Sequence, residues 1–150
     1  MRRLARLRAL SPAERALLLR ALALLWTARL GLWLLPLPTT RRLLGWLARS
    51  RARLAEVEWA RRIAWATAVA SEFVPRSTCL VQALAAEALL AGAGLPAELR
   101  IGVARDSSAF EAHAWVESRG TIVVGDGELE RFTPLLSLGA LSGTRSRGRS

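Results

Sequence analysis

The chain holds a single cysteine, a single histidine and no lysine among its 150 residues. One thiol cannot close an internal disulfide, and without a cleavable signal peptide it fits a reducing cytoplasm. Cys79 and His113 are two residues of the zinc-ligand type, short of the four that a structural zinc site wants, so no metal is expected. No motif for a cofactor stands out either. Long apolar runs are also missing. The stretch Ala16 to Pro38 is rich in leucine and tryptophan, but Arg20 and Arg29 interrupt it. Its longest uncharged run, Leu30 to Thr40, falls well short of the about 20 apolar residues of a spanning helix. Zinc-finger spacing, basic-zipper heptads and an RNA-recognition signature are all absent, so nucleic-acid binding would rest on charge alone and no nucleic-acid partner is expected.

The chain carries a formal charge of +10, and its distribution divides the sequence. Residues 1–62 hold fourteen arginines against Glu14, Glu56 and Glu58, a net of +11, whereas residues 63–150 are close to neutral. Arginine suits bidentate contacts to carboxylates or phosphates, and its exclusive use equally follows from a GC-rich genome. The basic part reads as helical. Ser11-Pro12 supplies a cap and a first-turn proline, and Pro36 ends the helix that follows. Arg20 and Arg29 fall on opposite faces of it at about 100° per residue. From Thr39 to Ala70 apolar residues recur at helical intervals, giving one or two further helices. Trp26, Trp33, Trp46, Trp59 and Trp65 lie in these helices, where such spacing predicts core packing. This first part could pack on a core, dock a partner, or lie peripherally on an anionic membrane at its inner face.

After residue 62 the pattern changes. Cys79 to Leu90 is strongly apolar at helical spacing, which predicts a central, buried helix stopped by Gly92 and Gly94. Leu99, Ile101 and Val103 alternate with polar or small residues as a strand does, and Asp106-Ser107-Ser108 reads as a turn. Ala112 to Ser118 and Thr121 to Val124, separated by Arg119-Gly120, predict a hairpin. A thiol nucleophile needs a base, and His113 is the only imidazole present. If Arg119-Gly120 is a two-residue turn, Ser118 faces Thr121 and position 113 lies opposite Asp126. Opposed Cβ atoms stand about 4.5 to 5.5 Å apart, close enough for a carboxylate to hold a ring nitrogen. A slip of one residue would turn Asp126 away, leaving Asp106, Glu128 and Glu130 in reserve. The fold class expected is α+β, with N-terminal helices followed by a central helix carrying Cys79 on a small antiparallel sheet carrying His113 and Asp126.

The blocks Ser77-Thr78-Cys79-Leu80-Val81-Gln82-Ala83-Leu84, Gly94-Leu95-Pro96, Leu99-Arg100-Ile101-Gly102-Val103 and Ala112-His113-Ala114-Trp115-Val116-Glu117 closely resemble the lasso-peptide B proteins. The likeness is to their transglutaminase-like protease half. Leu34-Leu35-Pro36 with Arg41-Arg42-Leu43, and Phe132-Thr133-Pro134-Leu135, extend it over residues 20–136. The resemblance implies a papain/transglutaminase-like core and a bacterial cysteine protease with catalytic Cys79, His113 and Asp126. Such a protease removes the leader from a ribosomally made precursor peptide, before an ATP-using cyclase closes a macrolactam. The chain resembles the stand-alone form, which works with a separate leader-recognition protein; that protein or the cyclase could dock on the first part. The organisation expected is a basic helical region over 1–62, the protease core over 63–141 and a disordered tail over 142–150. Another transglutaminase-like acyl transferase, or a non-enzymatic arginine-rich membrane- or nucleic-acid-binding protein, would account for parts of the pattern.

Overall fold

A computed structural model of the chain describes residues 5, 8–49, 56–106, 109–125 and 129–138. Among these residues four α-helices precede a four-stranded antiparallel sheet, an α+β arrangement. Helix α1 spans Pro12–Leu34 and begins with a capping box. The Ser11 hydroxyl accepts from Glu14 N–H at 3.2 Å while the Glu14 carboxylate accepts from Ser11 N–H at 2.7 Å, so two orphan donors are satisfied at once. That bond from the Ser11 backbone holds the Glu14 carboxyl below its ordinary range. Leu35, extended ahead of Pro36, ends the helix as X-Pro geometry requires. Helix α2 follows at Leu37–Leu47 and α3 at Glu56–Ser71.

Helix α4, Cys79–Gly92, is buried around its whole circumference, with Val81 and every residue from Ala83 to Leu90 out of water. A helix apolar on all sides belongs inside a protein. Helices α1, α2 and α3 pack against it, as does the sheet. The core joins Leu25, Leu44, Ile63, Leu84 and Leu90 to Leu99 and Val116, drawing on both sides of the charge boundary at residue 62. One charge lies within it. Glu87 is fully buried and receives the Arg41 guanidinium from α2 in a bidentate pair, Nε to Oε2 at 3.1 Å and Nη2 to Oε1. Burial pushes the Glu87 carboxyl up, and Arg41 pulls against it. At the far end of α4 a methyl on Gly92 would fall on the Ala48 carbonyl oxygen, the same oxygen that accepts from Arg20 Nη2 at 2.7 Å.

Strands β1 (Glu98–Asp106), β2 (Ala109–Ser118), β3 (Thr121–Val124) and β4 (Thr133–Leu138) lie in the order β3-β2-β1-β4. β1 pairs β2 from Glu98↔Glu117 to Asp106↔Ala109, so His113 stands opposite Gly102. The β2–β3 connection is the expected two-residue turn, with Arg119 and Gly120 at φ 50 and 77, as a primed hairpin turn requires. Register holds for Ser118↔Thr121 and Glu117↔Ile122 and then shifts, so that Val116 pairs with Val124. Val123 is the extra residue of a bulge.

Several expectations are corrected. Of the five helical tryptophans only Trp59 is buried; Trp26, Trp33, Trp46 and Trp65 are exposed, because helical spacing names a stripe without saying which side of the helix meets the core. β2 begins at Ala109 rather than Ala112, and Asp106 closes β1. β4 was not expected; its Pro134 argues against a central strand and is tolerated at a sheet edge, where its missing N–H costs nothing. Helix α1 is the one described helix long and apolar enough to cross a membrane by length and composition, although a third of its most apolar stretch is buried in the protein. The 142–150 tail lies outside the described residues.

Arg41→Ala should lower stability by about 3–5 kcal/mol at neutral pH, because it leaves a buried carboxylate unpaired. A folded-state pKa raised above the ordinary 4.5 contributes stability at low pH that is lost as pH rises through the folded value. Removing Arg41 raises that value further, so the deficit should be larger at pH 8 than at pH 5 in urea denaturation. An equal deficit at both would contradict this account of the pair.

Candidate active site

Cys79 is the first residue of α4, half-buried against the core. Thr78 caps the helix, its hydroxyl accepting from Val81 N–H at 3.4 Å, so the chain enters the helix at a fixed angle. The Cys79 N–H, first in the helix, has no intrahelical acceptor, and the macrodipole favours an anion there. The loop before it is tightly held. Arg76 adopts φ 54, a left-handed conformation unfavourable for a residue with a side chain. Gln82, one turn into the helix, donates its amide to the Ser77 carbonyl at 3.2 Å. The buried Ser77 hydroxyl has no partner among the described residues.

His113 is half-buried on β2 and held from three sides. Its Nε2 lies 2.8 Å from the Gly125 carbonyl oxygen. A carbonyl only accepts, so Nε2 carries the proton and the neutral ring keeps its lone pair on Nδ1. Trp115 stacks on one side at 6.2 Å and 20°, and Phe132 lies tilted at 5.2 Å. Each wall is itself braced. The Trp115 ring crosses Gly102, where a Cβ would meet Cη2 and Cζ3 at 2.9 Å, and its Nε1 donates to Glu117 at 2.9 Å. Phe132 leaves the 3₁₀ turn Leu129–Arg131, and Arg131 reaches Glu111 on β2 at 3.8 Å. Beyond Trp115, Arg100 spans Glu117 and Glu98 at 3.3 Å each, and Ser137 from β4 donates to Glu98. The Ser137 bond, then the Arg100 charge, hold the Glu98 carboxyl below its ordinary range.

The sole thiol and sole imidazole therefore stand on elements that pack together, α4 and β2. Their side chains are not hydrogen-bonded to each other among the described residues. Ala114 and Val116 enter the core that α4 builds, and His113 and Trp115 alternate with them on the strand. Asp126 lies outside the described residues. The uninterrupted register that would set position 113 opposite it does not hold, because the bulge shifts the pairing between Val116 and Glu117 and β3 ends at Val124. Of the reserve acids, Asp106 is four residues along β1 from Gly102, about 13 Å at 3.3 Å per residue. Glu130 is exposed on the 3₁₀ turn, and Glu128 is outside the described residues. Sequence reasoning missed Gly125 and Phe132 as partners of the ring. A backbone acceptor leaves no side-chain signal, and the fold that carries Phe132 to β2 depends on the unrecognised strand β4.

A family model of the transglutaminase-like superfamily matches residues 22–137. The chain belongs to that superfamily. No curated protein and no solved structure matches it. A transglutaminase-like domain is of the cysteine peptidase and acyl transferase type, and its span here encloses Cys79, His113, Gly125 and Phe132. Among the described residues no group of three or more His, Cys, Asp or Glu could hold a metal.

Gly102→Ala should cost about 1–3 kcal/mol, the range for overpacking, because the new methyl displaces the Trp115 ring. In a double-mutant cycle with Trp115→Leu most of that cost should vanish. Denaturation midpoints that add without coupling would show that the glycine does not serve the ring.

Proposed function

We propose that this transglutaminase-like chain is a bacterial cysteine peptidase that removes the leader from a ribosomally synthesised lasso peptide precursor. The observation that carries the reading is the superfamily match over 22–137, which encloses the one cysteine, at a capped helix start, and the one histidine, on a strand of the sheet. The resemblance of the Cys79 and His113 blocks to the lasso B proteins supplies the substrate. The partners proposed are the precursor peptide, a separate leader-recognition protein and the macrolactam cyclase, acting in the cytoplasm.

His113 takes the Cys79 proton on Nδ1, the nitrogen left free by the Gly125 bond. The thiolate adds to the scissile carbonyl, and the Cys79 N–H at the helix start donates to the developing oxyanion. The C–N bond breaks as the imidazolium returns a proton to the leaving amine. Water, activated by the same ring, then releases the acyl group. The reading requires the two side chains to come within reach of each other in the substrate complex, where catalytic contacts often tighten. Asp126 directly follows Gly125 in the sequence, and its carboxylate is proposed to stabilise the imidazolium that forms.

With precursor and recognition protein present, Cys79→Ala and His113→Ala should each cut leader release by at least about 10³-fold while the chain stays folded. Asp126→Asn should cost less, because the Gly125 carbonyl still fixes the tautomer. Mass spectrometry of the products checks all three, and a folded Cys79→Ala variant that still releases leader sinks the reading. Products that form only with an added amine would favour an acyl transferase.

A further inference from the structure

Helix α1 is apolar on two opposite sides. Leu17, Ala21, Leu24, Leu25 and Ala28 face the core. Leu19, Trp26, Leu30 and Trp33 fall within a sector of about 60° on the other side, at 3.6 residues per turn. All four are exposed, Leu19 by 65% and Trp33 by 81%. The stripe runs about 21 Å along the helix at 1.5 Å per residue. The next helix continues this chemistry. On α2, Trp46 is 63% exposed between exposed Leu43 and Leu47, with Arg42 one turn before it and Arg49 just beyond. Arg15 and Arg61 are exposed as well. The acids of this part are few: Glu14 is engaged in the Ser11 cap and Glu58 pairs with Arg62.

From this pattern we infer that the outer face of α1 and α2 docks on an anionic lipid bilayer. Tryptophan and leucine would enter the boundary between headgroups and acyl chains, and the surrounding arginines would lie at the level of the phosphates. The net of +11 over residues 1–62 gives the charge complementarity, which a neutral bilayer would not meet. The helix lies on the surface and does not cross it, because its other face is committed to the core and Arg20 is bonded to Ala48. Being folded already, the stripe loses little conformational entropy on docking. This inference is independent of the peptidase reading.

The test is flotation of the full chain with vesicles of phosphatidylglycerol and phosphatidylethanolamine, against vesicles of phosphatidylcholine. Binding to the anionic vesicles should be at least ten-fold stronger and should weaken steeply with salt. Leu30→Ser with Trp33→Ser should reduce it at least ten-fold with unchanged circular dichroism, both residues being exposed. Trp46→Ser on α2 is the second variant, and should weaken binding in the same direction. Equal binding to both vesicle types, or folded variants that bind as well as the parent chain, would overturn the proposal. So would a parent chain that floats with neither vesicle and elutes as a dimer that the stripe substitutions convert to monomer, since the face would then join two copies.

Discussion

A helix with no polar side can be stable in water only if other parts of the chain surround it, and α4 is such a helix. Three helices cover one flank and the sheet covers another. Its burial fixes the first residue, Cys79, at a point where a capped turn enters the core. The one ionisable group in its interior, Glu87, is tolerated because Arg41 meets both carboxylate oxygens, and that contact ties α2 to the helix carrying the thiol. A buried ion pair of this kind adds little net stability over apolar packing but is costly to break.

The imidazole is held quite differently. His113 sits on a strand whose neighbours alternate between core and a second face, and its orientation comes from one carbonyl and two aromatic rings. Each ring has its own support, Trp115 from Gly102 and Glu117, Phe132 from a short turn pinned by Arg131 to Glu111. Electrostatics is secondary at such an exposed ion pair. What matters is that the ring is confined, so that its tautomer follows from the chain's geometry rather than from solvent.

Much of this was legible from the residues. Ser11 and Pro12 marked the start of α1, Pro36 its end, and Arg119-Gly120 the hairpin, because caps and turns leave local chemical signatures. The burial of α4 was equally plain from its composition. The side of each amphipathic stripe was not. Leu19, Trp26, Leu30 and Trp33 recur at core-like spacing yet face outward, since periodicity is blind to which of two apolar faces the rest of the fold covers. The bulge at Val123 was invisible too, as one extra residue in a strand alters pairing without altering composition. β4 was hidden by Pro134, whose usual meaning in a strand is reversed at an edge. Cys79 and His113 stand out in the sequence because each is unique in the chain, whereas the Gly125 acceptor is backbone and carries no letter of its own.

The Ala48 carbonyl oxygen has a wider significance than a single hydrogen bond. Arg20 from α1 ends on it, it terminates α2, and Gly92 at the close of α4 rests against it with only a hydrogen atom to spare. Three helices are thus gauged against one atom. Their mutual spacing at that corner is set by a missing methyl group, which makes position 92 a mechanical stop: any bulkier occupant would have to wedge α2 outward and strip Arg20 of its acceptor in the same movement.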